Sequence, residues 1–313
     1  MGVLLSKPNT DKVFDDGESE KIAYAACSMQ GWRTTMEDAH AAELDIDGKK
    51  SAFFGVYDGH AGTDVAIYSS RFLHKNLLKS PLLKQGQIEA ALKEAFLKTD
   101  SDLLTSEGMS ECEAIRREIA RRDEDEDEED EDGSIHVTDS GSTAVTCLIL
   151  DRVIYCANAG DSRAVLCRNG TAVDLSEDHK PTNAVERTRI ENANGFVEDK
   201  RVNGTLAVAR AMGDFSFKAD KQLPPEEQQV TCNPEIKKFP MQEGDEFIIM
   251  ACDGIWDVVS SQQCVDLIRE KLNGGKSLRE TLSDLFDHCL SPHPSANEGL
   301  GCDNMTAIIV KFK

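Results

Sequence analysis

Four aspartates sit where apolar, strand-like runs end. Asp58 directly follows FFGVY (53–57), Asp161 follows YCANAG (155–160), and Asp253 follows FIIMAC (247–252); Asp303 lies two residues before MTAIIV (305–310). Strands packed side by side bring their end residues to a common edge, so four carboxylates could converge there. Asp-Gly is also a stock turn signal, and a turn suffices for any one of them. Four at strand ends, two in the same Asp-Gly form, are harder to assign to turns alone. Converging carboxylates repel unless cations neutralise them, and an oxygen-rich cluster suits Mg2+ or Mn2+. Gln30-Gly31-Trp32-Arg33, followed by Glu37-Asp38, adds a guanidinium beside two more carboxylates. Its fork matches a tetrahedral phosphate with parallel charge-assisted hydrogen bonds. His60, two residues after Asp58, could donate a proton near neutral pH. Taken singly, Arg33 reads equally well as a surface ion pair and His60 as a turn residue. His179, in Asp178-His179-Lys180-Pro181, reads more simply as part of a loop. The whole constellation points to two-metal phosphoester hydrolysis.

The elements that must position these groups alternate between strand-like and helical blocks. Ser51–Tyr57, Ala144–Leu150, Val153–Ala159, Ala164–Cys167, Phe247–Cys252 and Met305–Phe312 are short apolar runs separated by turn signals. Asp151-Arg152 is a two-residue connection typical of a hairpin. Helical spacing relates Ile88, Ala91, Leu92, Ala95, Phe96 and Leu103. Further helices follow Ser260-Ser261 and run through Leu278, Leu282, Leu285, Phe286 and Cys289. Hairpin strands with amphipathic helices predict an α+β fold, antiparallel sheets in a sandwich covered by helices.

Composition narrows the function classes. The 313 residues carry 35 Lys plus Arg against 57 Asp plus Glu, a net charge of −22. So acidic a chain repels phosphate backbones, which disfavours a nucleic-acid partner and a metal-dependent nuclease. No apolar run reaches the ~18–20 residues of a membrane span, and the N-terminus lacks the features of a secretory signal. Ten cysteines show no Cys-x-x-Cys pair; most lie in apolar runs as small hydrophobes. A reducing compartment, cytoplasmic or nuclear, is expected. Cys252 beside Asp253 lacks a Cys-x5-Arg arrangement, so a cysteine nucleophile is not expected. Asp123 to Asp132 is an unbroken acidic run of ten residues. It self-repels, which predicts a disordered loop at about 107–138. A solvated loop is the plain reading; a contact for basic proteins is the functional one.

The stretches MQGWRTTMEDAH (29–40), VYDGHAG (56–62), SGSTAV (140–145), ANAGDSRAV (157–165), EDHKP (177–181), VNGTLAVARAMGDFSFK (202–218), CDGIWDV (252–258) and GCDNMTAIIV (301–310) occur in one order. Through them the sequence resembles the metal-dependent Ser/Thr protein phosphatases of the protein phosphatase 2C family, over about Ala23 to Lys313. The acidic run and LPPEEQ (223–228) are similar to the gamma-type enzyme, whose acidic region is longer. The resemblance implies a central β-sandwich of two antiparallel sheets flanked by helices, in α/β/β/α layers. It implies that Asp58 bridges two metals with the Gly59 carbonyl on one side, and that Asp253 and Asp303 hold the other metal. Glu37 and Asp38 act directly or through water, and Asp161 with Asp253 matches a third, weaker site. Arg33 would grip the substrate phosphate, His60 would protonate the leaving Ser or Thr oxygen, and Asn304 would orient its neighbours. Two cations sharing a water would bring its pKa toward neutrality, supplying a bridging hydroxide for in-line attack. Residues around 177–200 align with the family's variable flap. The chain stops after its last strand, so the extra C-terminal helices of some relatives are not expected.

The organisation expected is therefore an N-terminal segment, 1–22, and one catalytic domain, 23–313, interrupted by the acidic loop, in a monomer. Its partners would be phosphoserine and phosphothreonine proteins. Met-Gly-Val-Leu-Leu-Ser makes Gly2 a myristoylation candidate. One acyl chain gives only weak, reversible membrane contact. The alternative is a catalytically weak, phosphatase-like scaffold that binds basic proteins through Asp123–Asp132.

Overall fold

A strand whose consecutive residues are all apolar must be covered on both faces. The central strands of this protein meet that demand between a second sheet and a layer of helices. The computed structural model describes residues 4–48, 51–123, 140–296 and 299–313. In chain order the first strands are β1 (Leu4–Glu18), β2 (Ile22–Arg33), β3 (Ala39–Glu43), β4 (Ala52–Tyr57) and β5 (Gly59–His60). Helices α1 (Asp64–Lys79), α2 (Pro81–Lys84), α3 (Ile88–Asp102) and α4 (Ser106–Asp123) follow. Next come β6 (Gly141–Ser142), β7 (Ala144–Leu150), β8 (Val153–Ala159), β9 (Arg163–Arg168), β10 (Thr171–Asp174) and α5 (Ala184–Asn192). A small hairpin of β11 (Val197–Glu198) and β12 (Arg201–Val202) precedes β13 (Met212–Gly213), β14 (Glu235–Pro240) and β15 (Asp245–Ala251). The chain closes with α6 (Asp253–Trp256), α7 (Ser261–Asn273), α8 (Leu278–Cys289) and β16 (Met305–Phe312).

One sheet has the order β1-β2-β16-β15-β9-β10 and the other β14-β8-β7-β4-β3, every pairing antiparallel. Side chains alternate between faces. In β4, Phe54 and Val56 point into the space between the sheets with Cys147, Ile248, Ile308 and Val310. Phe53 and Tyr57 point the other way, onto Leu73, Leu92 and Phe96 of α1 and α3. On the opposite side Cys27, Ile249 and Ile309 pack under Ile268, Leu285 and Phe286 of α7 and α8. The layers are α/β/β/α, as expected. Asp151 and Arg152 both have positive φ, 49° and 61°, which is how a two-residue loop matches the twist of β7 and β8. Ser260 with Gln263, and Ser277 with Glu280, form reciprocal caps that start α7 and α8.

Two boundaries differ from those read in the sequence. The segment 1–22 is not separate: from Leu4 onward it forms the edge strand β1, in register with β2 from Lys12↔Met29 to Glu18↔Ala23. Few of its residues are apolar because an edge strand keeps much of its surface in water. Lys12 still reaches Asp287 of α8 at 2.6 Å, and Arg279 lies over the Phe14 ring at 4.6 Å. The loop predicted from about 107 begins instead as α4. Cys112, Ile115 and Ile119 share one helical face against the core, and Arg71 ties the helix down through Glu111 and Glu118. The strong charge of this stretch hid a narrow apolar stripe. Gly2 and residues 124–139, with nearly all of the acidic run, lie outside the described residues.

Candidate active site

The sandwich delivers its strand ends to one edge. Asp58 leaves the end of β4, and its backbone exchanges two bonds with Thr143: Asp58 N–H donates to Thr143 Oγ1 at 3.2 Å, and Thr143 N–H donates to Asp58 O at 2.9 Å. Asp161 lies in the turn from β8 to β9, after Gly160 at φ 129°. Asp253 starts α6 where β15 stops, and Asp38 lies between β2 and β3. Glycine is required at position 59, because a Cβ there would sit 2.2 Å from the Glu37 carbonyl oxygen. The result is two overlapping groups. Single carboxylate oxygens of Asp58, Asp161 and Asp253 all lie within 4.8 Å of one another, and so do oxygens of Asp38 and Asp58 with Cys252 Sγ.

Crowding of this kind is expensive for anions. Burial, then Asp253, Asp38, Asp161 and Asp303, push the Asp58 carboxyl well above its ordinary range. Asp253 moves the same way through burial, Asp161 and Asp303. Burial raises Asp38 to about 7, with Asp303 adding to it. Asp38 Oδ2 is also buried with no hydrogen-bond partner. An inward-facing carboxylate oxygen without a donor, among other carboxylates, is what a divalent cation would satisfy. The oxygen-dominated donor set fits a hard ion.

Asp303 and Arg33 form the rim. Arg33 Nη2 donates to Asp303 Oδ2 at 2.5 Å. Burial would lower the guanidinium's pKa, but Asp303, Asp253 and Asp58 hold it above its usual value. Trp32 anchors this corner by donating Nε1–H to Ser291 O at 2.9 Å. Asn304 orients the neighbouring loop: its Nδ2 donates to Gln30 O at 2.8 Å and Thr35 O at 2.9 Å, and its Oδ1 accepts Glu37 N–H at 3.0 Å. The Glu37 carboxylate accepts from Thr35 Oγ1 at 3.2 Å and belongs to neither compact group among the described residues.

Four neighbours were not assigned to the site from the sequence. Asp214 places both carboxylate oxygens on His60 Nε2, at 2.8 and 3.0 Å. Burial favours the neutral ring, yet Asp214 outweighs it and raises His60 above its ordinary value. Lys180 forms an ion pair with Asp161; burial opposes its charge, and Asp161 raises its pKa nonetheless. Cys252 Sγ accepts Thr306 N–H at 3.2 Å behind Asp38. His179, read as a loop residue, is buried and accepts Gly160 N–H on Nδ1 at 3.3 Å, backing the Asp161 turn. Burial, then Arg210, lowers it to about 4.

A chain that gathers so much negative charge at one sheet edge, beside a guanidinium, falls among the hydrolases that handle phosphate with divalent ions. Comparison with known proteins makes the class specific. The family described as Protein phosphatase 2C matches residues 22–297. The chain is 42% identical to "Probable protein phosphatase 2C 21" of Arabidopsis thaliana, an alignment covering all of this chain and 93% of that protein. It is 44% identical to "Protein phosphatase 2C homolog 2" of Schizosaccharomyces pombe, over all of this chain and 79% of that one. A solved structure of a phosphatase from a pathogenic strain of Toxoplasma gondii aligns with TM-score 0.72 and 26% identity, covering 96% of each chain. The chain belongs to the protein phosphatase 2C family, whose known activity is metal-dependent hydrolysis of phosphoserine and phosphothreonine.

Proposed function

We propose that Asp38, Asp58, Asp161 and Asp253 hold the divalent ions of this phosphatase, with Asp303, Glu37 and the Gly59 carbonyl completing their surroundings. The observation that carries the assignment is that Asp58 belongs to both compact groups of ligand atoms. Mg2+ or Mn2+ suits the oxygen donors, two ions for catalysis and a third, weaker one at Asp161 and Asp253. Once bound, such ions neutralise the carboxylates and supply Lewis-acid charge and an activated water. The chain's own groups do the rest. Arg33, half-exposed at the rim, turns its remaining N–H donors toward the phosphate oxygens and orients phosphorus for in-line displacement. His60 gives a proton to the Ser or Thr oxygen as it leaves.

The test is direct. Purified protein with Mn2+ should hydrolyse a phosphothreonine peptide and stop in chelator. Asp58→Asn should remain folded yet lose at least about a hundredfold in turnover, because it removes charge rather than core volume. Wild-type turnover in that variant would refute the assignment. Two further readings rest on charge and motif. The run Asp123–Asp132 suits basic protein segments, in keeping with the gamma-type resemblance. Deleting 123–132 should abolish capture of a basic protein while peptide hydrolysis continues. Gly2 suits N-myristoylation, and co-expression with a myristoyltransferase should add the mass of one acyl chain, lost in Gly2→Ala.

A further inference from the structure

We propose that the buried ion pair between Asp100 and Lys218 positions the carboxylate that holds His60, and thereby sets which ring nitrogen delivers a proton to the leaving group. The inference rests on the phosphatase reading and on His60 as proton donor. Neither Asp100 nor Lys218 touches the metal-ligand carboxylates; both act through the turn between them and the ring.

Asp100 lies on α3 and is 6% exposed. Its Oδ1 accepts the Gly213 N–H at 2.7 Å and Lys218 Nζ at 2.8 Å, and its Oδ2 accepts Lys218 Nζ at 2.9 Å. The same ammonium donates to Ala211 O at 2.8 Å. Between these anchors the backbone takes two successive left-handed residues, Gly213 at φ 72° and Asp214 at φ 51°. A non-glycine residue keeps that conformation only where its surroundings hold it. Here the hold is the Asp214 N–H on Ser140 O at 3.1 Å, a carboxylate on the preceding N–H, and an ammonium that ties residues 211 and 218 to that carboxylate. The strained residue is the one that reaches His60.

The reach is closely walled. A Cβ on Gly141 would lie 2.2 Å from Asp214 Oδ2 and 2.5 Å from His60 Nε2, so the pair fills the space that a side chain would need. With both Asp214 oxygens facing Nε2, that nitrogen carries its hydrogen toward the carboxylate. In the doubly protonated ring the second hydrogen is on Nδ1, and that is the one available for transfer. The phosphorus–oxygen bond to Ser or Thr breaks as the bond from the attacking water oxygen forms. The electron pair left on the departing oxygen takes the Nδ1 proton. One water hydrogen stays on the phosphate, and the other returns to the ring through solvent, which restores the start. If Asp100 or Lys218 is altered, the turn relaxes, Asp214 withdraws, and the ring is no longer held in this orientation.

The experiment compares two substrates in Lys218→Met and Asp100→Asn. Asn keeps an acceptor for the Gly213 N–H but loses the charge. A phosphothreonine peptide leaves as an alkoxide and needs the proton, whereas p-nitrophenyl phosphate leaves as a stabilised phenolate and does not. The ratio of peptide to aryl turnover should fall about tenfold or more in both variants, within the range of acid catalysis. Lys218→Arg should restore part of it. Nitrogen NMR of His60 should show an Nε2–H hydrogen-bonded to the Asp214 carboxylate in wild type and the loss of that bond in Asp100→Asn. That measurement also decides the matter should Lys218→Met fail to fold. An unchanged ratio, or an unchanged ring signal in Asp100→Asn, overturns the proposal even if both rates fall together. His60→Ala lowering both substrates equally would instead remove His60 as proton donor, a separate failure.

Discussion

Asp38→Asn should stabilise the metal-free protein while weakening its response to metal. The Asp38 carboxyl is carried from an ordinary 3.8 to about 7, chiefly by burial. The native acid therefore keeps its proton over a pH range in which the unfolded chain has lost it. Unfolding releases that proton, so stability falls as pH rises from about 4 to about 7. At ~1.4 kcal/mol per pH unit, the loss is roughly 4 kcal/mol by pH 7.5. Asparagine removes the charge but puts an amide where Asp38 Oδ2 is buried without a partner. Burying an amide donor unpaired costs about 1–3 kcal/mol. The first effect is the larger, which leaves a net gain of ~2 kcal/mol. Urea denaturation at pH 7.5 in chelator measures it directly, and at pH 5 the gain should shrink. Adding Mn2+ should then stabilise wild type much more than the variant, because binding to the native state alone raises stability. A variant less stable than wild type in chelator, with an equal Mn2+ response, would refute both the electrostatic reasoning and the ligand role.

Two other perturbations follow from the same geometry. Arg33→Lys keeps a charge but loses the fork that can hold Asp303 and phosphate together, so kcat/KM on a phosphopeptide should fall about 10–100-fold; an unchanged value would remove Arg33 from substrate binding. His179 sits near 4 because burial and Arg210 disfavour its charge. Below about 6.5 the unfolded chain takes up a proton that the folded ring refuses, so stability present above that pH is lost as pH falls toward 4, by up to ~3 kcal/mol. His179→Gln should flatten that slope in denaturation measured between pH 7 and 5, and an unchanged slope would place the titrating group elsewhere.

Local pattern carried much of the architecture. The runs at Ala144–Leu150 and Val153–Ala159 coincide with β7 and β8, and the helical spacing from Ile88 coincides with α3. Such runs are legible because a strand covered on both faces has few polar positions to blur it, here Thr146 and Asn158. β1 and α4 were misread for the opposite reason. Each buries only a narrow part of itself, so solvent-facing charge dominates its composition.

At the site, the chain order alone supplied Asp58, Asp161, Asp253 and Asp303 at strand ends, with His60 two residues after Asp58 and Arg33 just before Glu37-Asp38. Their residue types and their adjacency to apolar runs are one-dimensional facts. That Asp58 is shared by two compact groups, that Lys180 pairs with Asp161, and that Cys252 stands behind Asp38 are outcomes of strand register and sheet packing. Asp214 is the clearest case, since it meets His60 across 154 positions of sequence, on a turn held by a helix residue that is itself 113 positions away from Gly213. Which carboxylates exist is written in the chain. Which of them must share charge, and which one holds the imidazole, is decided only when the two sheets close, because electrostatic and hydrogen-bond energies depend on distance and burial rather than on order along the backbone.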